Sequence, residues 1–421
     1  MTAIGLVGDG TTVNNTTMQS ILTAAGTAGG SITIPCGSYN FTNISTITTS
    51  IAAGKNLTLA GSGVDCTELN FTNSAGLAFT GAGVYSSLIV RDLTFKTDQT
   101  GTFDAITFSI GGLNVNPALS AQSIVSNVNF LGSDSYSGTP TKYWRNGYSE
   151  TNVSNINISN VMYTGPAGQN GGNIISLLGL VGSCGYSVAI NISNLTGELQ
   201  GSCVNIGDYV QGVTMRSMNC TNGINGVLFP ASAAGVLGEF IISESQFGGN
   251  TGKDINVRTP NANITDVKLS DDLFIDSGTG GGIVIGGSRP SLSQLNFTGT
   301  SSTVPAIIIN GSVGTITGGT IVGYSTGITY GPASHDIVQT GTKMSANTVD
   351  YSFDASAVNI VVNDMNQRTF ATLPTCGAAN SSSTFSILDA TAPTYNGAIT
   401  GGGAVAVTAK CVGSIPAWRS Q

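Results

Sequence analysis

The segment LIVRDLTF (88 to 95) returns in variant form six times along the chain. The copies are IVSNVNF (124 to 130), INISNVMY (156 to 163), INISNLTG (190 to 197), VTMRSMNC (213 to 220), FIISESQF (240 to 247) and SLSQLNF (291 to 297). Each reads apolar, polar pair, apolar, any residue, then in most copies an aromatic or other large residue. The polar pair is a corner where Asn, Asp, Ser or Glu bonds its own backbone and turns the chain between two short strands. The final positions 95, 130, 163, 197, 220 and 247 lie 35, 33, 34, 23 and 27 residues apart. Hairpin proteins show turn signals about every 8–12 residues with Asn-Gly or Asp-Gly tips. A corner that recurs once per coil instead pairs each strand with its equivalent in the next coil. The expected fold is all-β: a right-handed single-stranded parallel β-helix. Strands stacked about 4.8 Å apart over about a dozen coils between residues 30 and 365 would make a rod roughly 55–60 Å long.

The start of the chain fits this plan. In NNTTMQSILTAAG, Met18, Ile21, Leu22 and Ala25 fall at helical spacing behind Asn15 and Thr16, and Gly26 is expected to stop the helix. An open solenoid end exposes an apolar interior and an unpaired edge. The helix over 16–25 is therefore expected to cap it, with SITIPCGSYNF turning the first corner. GLVGDGTTVNNTTMQSILTAAGTAGGSITIPCGSYNFT resembles the N-terminal signature of the pectate-lyase-like β-helix superfamily. That signature runs from GDG-T-(D/N)-(D/N)-T through a capping helix to GG-x-(I/V)-x-(I/L)-P-x-G-x-Y. It is similar to the one in phage tailspikes and related glycan-directed proteins.

Near Asn366 the pattern changes. RTFATLPTCGAANSSSTFSILDATAPTYNGAITGGGAVAVTAKCVGSIPAWRS shows hairpin-style alternation in AVAVTAKCV and resembles the small β modules that end many phage virion proteins. Three parts are expected: an N-terminal segment with capping helix over 1–29, the β-helix over 30–365, and a C-terminal β module over 366–421.

Composition narrows the partners. Of 421 residues only 9% are charged, 58 are Gly, and the net charge is −8 with 14 Lys and Arg spread thinly. A footprint on nucleic acid is not expected. No stretch is apolar enough for membrane insertion, and the first ten residues lack a basic segment followed by an apolar one, so no signal peptide is expected. One histidine, His335, cannot build a His-rich metal site, and neither a metal nor a cofactor is expected. Seven cysteines are too few for a disulfide framework. Cys36 with Cys66 and Cys376 with Cys411 are plausible pairs. Cys184, Cys203 and Cys220 leave a thiol over and read as buried small hydrophobes, and the redox compartment stays open. Triplets such as those at Asn157, Asn191, Asn194, Asn263 and Asn296 match glycosylation acceptors, but the repeat template itself produces them.

The superfamily resemblance implies carboxylate pairs on the solenoid face in its enzymes. The weak catalytic candidates are Asp208, Glu244, Asp271 and Asp272. Asp271 and Asp272 fall on the corner position and read as turn formers. Neither the motif set of polygalacturonase-like hydrolases nor the acidic cluster with an Arg-rich run of calcium-dependent pectate lyases is present. The coils ending near Phe130, Tyr163 and Gly197 are longer than later ones, and their insertions are expected to line up as loops on one face. One insertion, SDSYSGTPTKYWRNGYSE (133 to 150), gathers aromatic and charged residues in a chain with two Trp. Aromatic faces stack on sugar rings while charged and amide groups bond hydroxyls. Tyr136, Tyr143, Trp144, Arg145 and Tyr148 are thus the expected glycan-binding residues, the alternative being that Tyr143 and Trp144 anchor the loop.

Together these point to a phage receptor-binding protein, a tailspike or tail fibre on the virion, extracellular. It would be a homotrimer that binds host cell-surface polysaccharide and other tail proteins, with or without depolymerase activity. The alternative is a free bacterial polysaccharide lyase or glycoside hydrolase.

Overall fold

The computed structural model describes residues 5–43, 46–83, 85–111, 121–168, 171–180, 186–229, 237–257, 264–277, 279–300, 302–391, 393–413 and 417–421. It is a parallel β-solenoid of about 12 turns with very little helix. The chain divides into two compact units, Met1–Ile241 with Ser245–Asp254, and Ile242–Glu244 with Ile255–Gln421.

In the first unit each turn contributes one strand to each of three parallel sheets. Ile124, Val125 and Ser126 pair with Ile89, Val90 and Arg91 one turn back, and with Asn157, Ile158 and Ser159 one turn on. Val128 and Phe130 pair with Leu93 and Phe95 in the second sheet. Tyr148 pairs with Ile106 and Ile175 in the third. Between the first and second sheets the chain turns at a residue held left-handed: Asp92, Asn127, Asn160 and Asn194 have φ of 60°, 51°, 53° and 52°. Left-handed backbone costs a residue with Cβ about 1–2 kcal/mol, least for Asn and Asp. That is why the corner of the repeat is written in these residues. Their amides form an exposed ladder: Asn127 Nδ2 donates to Asp92 Oδ1 (2.9 Å), Asn160 to Asn127 (3.0 Å), and Asn194 to Asn160 (3.1 Å).

The large residue that ends the template points inward. Phe41 and Phe71 stack at 4.9 Å, and Phe95 and Phe130 meet at 5.7 Å, all fully buried. The second unit repeats the device: Phe274 stacks on Phe297 at 4.3 Å, and the corner column runs Asp271, Gln294, Gly318, Gly341 with φ from 51° to 76°. Such ring contacts add about 0.5–1.5 kcal/mol beyond burial.

Helix α1 spans Asn15–Ala28. It runs past the expected stop at Gly26, because Gly26 serves packing: a Cβ there would lie 2.5 Å from the Ser50 carbonyl. The stop is Gly29, left-handed at φ 76°. Asn15 and Gln19 each bond the backbone of a strand in the first turn in both directions. Asn15 Nδ2 donates to Thr42 O (2.8 Å) and Thr42 N to Asn15 Oδ1 (3.2 Å), and Gln19 does the same with Thr48 (2.7 and 3.2 Å).

Three disulfides join Cys36 to Cys66, Cys203 to Cys220, and Cys376 to Cys411. The middle one corrects the expectation of free thiols at Cys203 and Cys220: both are fully buried inward-facing residues on successive turns. Cys184 lies outside the described residues. Closing loops of this length contributes about 3 kcal/mol each on the chain-entropy account.

After Val358–Arg368 the strand Thr384–Ala390 still pairs in parallel, and then the pattern turns antiparallel. Thr384–Ala390 pairs with Val405–Val412, which pairs with Ala417–Ser420. Trp418 packs edge-on against Phe385 at 5.1 Å, and its Nε1 donates to Pro374 O at 3.0 Å.

Candidate functional site

The connection 133–145 joins the strands Ser123–Gly132 and Asn146–Thr151. Gly132 is required at its base, where a Cβ would lie 1.8 Å from the Lys142 carbonyl. Asp134 ties the loop to itself. Its carboxylate accepts from Thr141 N (2.7 Å), Thr141 Oγ1 (2.8 Å) and Lys142 N (2.9 Å). Burial works to raise the Asp134 pKa, but the Lys142 and Thr141 donors outweigh it and hold the carboxyl below its ordinary value. Tyr136 stands out at the tip, 80% exposed.

Tyr143 is half-buried and lies across Gly101, where a Cβ would sit 2.3 Å from the ring. The two backbones meet through Gly101 N to Tyr143 O (2.9 Å) and Tyr143 N to Gln99 O (2.8 Å). Arg145 grips Asp104 with two hydrogen bonds, Nε to Oδ1 at 2.8 Å and Nη2 to Oδ2 at 2.9 Å, while its side chain stays 59% exposed. Those bonds raise the Arg145 pKa above its ordinary value. Asp104 also accepts from Asn146 Nδ2 (2.8 Å), and Asn146 accepts from Asn173 Nδ2 (3.0 Å). The corner therefore presents one exposed tyrosine at the loop tip, one tyrosine laid on backbone, and a guanidinium fixed in plane beside an amide ladder.

Two expected members are not there. Trp144 and Tyr148 are fully buried. Trp144 meets Phe71 edge-on at 5.5 Å and donates Nε1 to Phe95 O at 3.3 Å, so its ring offers no face to a sugar. Within Asn146–Thr151 alternation turns Tyr148 and Glu150 inward, and Trp144, ahead of the strand, is seated against Phe71 and the Phe95 carbonyl. Of the long-coil insertions, 133–145 lies between the second and third sheets, and much of the others falls on residues that are not described. Residues 112–120, 169–170 and 181–185 lie outside the described set.

The acids disperse as well. Asp208 is half-buried, and its carbonyl accepts from Gly179 N at 2.7 Å. Glu244 and Asp271 come together in the second unit as exposed left-handed corner residues (φ 54° and 58°) on successive turns, Glu244 N donating to Ser270 O at 3.2 Å. Asp272 points the other way and is fully buried.

Sequence reasoning passed over two features. Glu150 is buried beside Tyr148. Burial pushes its carboxyl well above the ordinary range, with Ser187 and the Val153 N–H (3.1 Å) offsetting part of that. The Tyr186 and Tyr209 rings meet edge-on at 5.4 Å, both half-buried and next to Asp208. Their signal was a Tyr beside a corner in each of two neighbouring turns. Among the described residues no group of three His, Cys, Asp or Glu is placed to hold a metal ion, and no helix is long and apolar enough to cross a membrane.

No protein-family model matches the chain, and no curated protein matches its sequence. Solved structures do match. The A-module of Azotobacter vinelandii mannuronan C-5 epimerase AlgE6 aligns with TM-score 0.65 at 13% identity, over 85% of this chain and 97% of that one. Tailspike protein 3 of bacteriophage CBA120 aligns with TM-score 0.54 at 13% identity, over 100% and 68%. The catalytic domain of a GH87 α-1,3-glucanase aligns with TM-score 0.50 at 14% identity, over 83% and 66%. At these identities the likeness is one of fold: this chain is a parallel β-helix protein of the kind found in a phage tailspike and in enzymes named for mannuronan and glucan.

Proposed function

We propose that the chain is a receptor-binding protein of a phage virion, a tailspike or tail fibre whose turns recognise host surface glycan. The observation that carries this reading is the corner at 133–146. There Tyr136, Tyr143 and the fixed Arg145 stand beside the Asp104, Asn146 and Asn173 ladder. Rings stack on the apolar faces of sugars, and planar guanidinium and amide groups bond their hydroxyls. The site is held in place before the ligand arrives, which lowers the entropy cost of binding.

The same reading makes the protein an extracellular homotrimer on the virion tail, in contact with other tail proteins. Residues 1–29 form the capping segment, with the Asn15 and Gln19 amides standing in for a strand on the first turn. Residues 30–365 form the solenoid and 366–421 a C-terminal module. The test is competition. Purified protein added to host cells should slow adsorption of the parent phage, and negative-stain images of virions should show a three-chain structure at the tail. Adsorption unchanged by saturating protein overturns the reading.

A depolymerase is the second reading, favoured by Glu244 and Asp271 on successive turns. A retaining glycosidase places its two carboxyls about 5–5.5 Å apart, near the turn spacing of about 4.8 Å. Glu244→Gln and Asp271→Asn should each abolish sugar release from host polysaccharide if this reading holds, and leave any release intact if it does not.

A further inference from the structure

Lys410 and Arg419 face each other directly across the antiparallel strands Val405–Val412 and Ala417–Ser420. Their neighbours Ala409, Cys411, Trp418 and Ser420 are buried, so strand alternation turns both cations outward on the same face. Like charges directly opposite destabilise a sheet. Among the described residues neither cation has a carboxylate in ion-pair range. The chain as a whole is acidic at −8, and of the cations in residues 366–421 Arg368 is held by Asp350 and Asp364, which leaves Lys410 and Arg419. Two unneutralised cations on adjoining strands are a cost to folding that a ligand would offset.

The surroundings form a receptacle. Lys410 and Arg419 line a hollow of about 350 Å³ together with Tyr395, Asn396, Ser381 and Ser382. Tyr395 is 89% exposed, more than any other large hydrophobic residue described. It rides on a turn closed by Gly397 N to Thr394 O (2.8 Å) and pinned by Asn396 N to Ser420 O (2.9 Å). Arg419 fixes the same turn, its Nη1 donating to Asn396 O at 2.7 Å. Asn396 and Ser382 both hold left-handed backbone, at φ 57° and 75°.

We propose that this hollow binds a carboxylated sugar, a hexuronate unit of an acidic polysaccharide. Lys410 and Arg419 take the carboxylate, Tyr395 stacks on the ring, and Ser381 and Ser382 meet the hydroxyls. A bare anion has no use for the tyrosine. A nucleic acid needs a longer cationic track than two residues supply. The inference rests on the glycan-recognition reading and adds to it an acidic ligand and a second site.

The experiment is calorimetric titration of the full chain with hexagalacturonate, maltohexaose and inorganic phosphate. Wild type should bind hexagalacturonate with an affinity that falls as salt rises, and maltohexaose at least about tenfold more weakly. Lys410→Gln with Arg419→Gln should lose about tenfold or more for hexagalacturonate, and Lys410→Gln alone, which leaves the Arg419 bond to Asn396 O in place, should keep a melting temperature equal to or above wild type. Tyr395→Ala should weaken hexagalacturonate about fivefold or more and leave phosphate unchanged. Absence of hexagalacturonate binding, equal binding of maltohexaose or phosphate, or indifference of hexagalacturonate to the double substitution overturns the inference. In each of those cases, retained competition with phage adsorption leaves the receptor-binding reading standing. Loss of that competition brings down the receptor-binding reading instead.

Discussion

In the stacked turns a side chain's neighbour is its own counterpart one turn away, whereas in the antiparallel strands over 384–420 it is an unrelated residue on another strand. In-register stacking at about 4.8 Å sets like against like. A charge repeated at one position would repel itself along the whole column, and an amide repeated there bonds itself. The columns accordingly read Asp92, Asn127, Asn160, Asn194, each amide donating to the residue behind it. Three cations of the turns are held by an acid: Arg145 by Asp104, Lys96 by Glu68, Arg289 by Asp266. Lys410 opposite Arg419 has no such partner. The low charge of this chain fits parallel stacking, and Lys410 opposite Arg419 sets like charges against each other on adjoining strands.

The comparison can be broken most forcefully from inside. Trp144→Ala should destabilise the fold by about 3–5 kcal/mol, as expected for a buried large aromatic, measured by denaturant unfolding. Adsorption by the folded fraction should be unchanged. Normal stability with lost adsorption would restore Trp144 to the binding face. Next in size is Glu150. Its folded pKa is raised by burial, so the folded state holds its proton more tightly than the unfolded chain. That contribution is fully present below the unfolded carboxyl value and is lost as pH climbs toward the folded one, at up to about 1.4 kcal/mol per pH unit. Glu150→Gln should flatten this decline. Parallel stability–pH curves for the two proteins would show the carboxyl to be ionised in the fold.

A smaller effect is expected at the amide ladder. Asn160→Ala should cost about 1–2 kcal/mol, from a left-handed backbone and two lost hydrogen bonds, and Asn160→Gly about half of that because the backbone term is relieved. Equal costs would mean that the ladder alone matters. The smallest is Lys410→Gln, which should raise stability by about 0.2–1 kcal/mol. A loss would mean that Lys410 has a structural role.

The solenoid was legible because its corner needs a left-handed residue, Asn or Asp from Asp92 to Asn194 and Ser, Glu, Asp, Gln or Gly at later turns, and its ladder needs a large inward residue. Phe95, Phe130 and Phe297 were found by that rule. The helix was plain from its spacing, but neither end was: Asn15, expected to cap it, is its first residue and bonds Thr42. Gly26 looks like a stop, and only the Ser50 carbonyl pressed against it shows that it is a packing glycine. Insertions were where the sequence misled. They break the repeat, so no periodicity says which side faces in, and only the contacts with Phe71 and the Phe95 carbonyl show that Trp144 is in the core. Cys203 and Cys220 sit in one fold position each and share no local pattern, so their bond followed from the turn geometry alone. Lys410 and Arg419 were hidden by antiparallel pairing across residues whose register no local motif encodes.

The central claim is that the exposed 133–146 corner contacts host glycan through Tyr136 and Tyr143, not through the buried rings behind them. Binding of the purified protein to host surface polysaccharide, compared between wild type and the double substitution Tyr136→Ala with Tyr143→Ala, tests it most directly. A loss of about 1–3 kcal/mol, roughly 5- to 150-fold in affinity, with an unchanged unfolding midpoint is the predicted result. Unaltered affinity in a folded variant would contradict it.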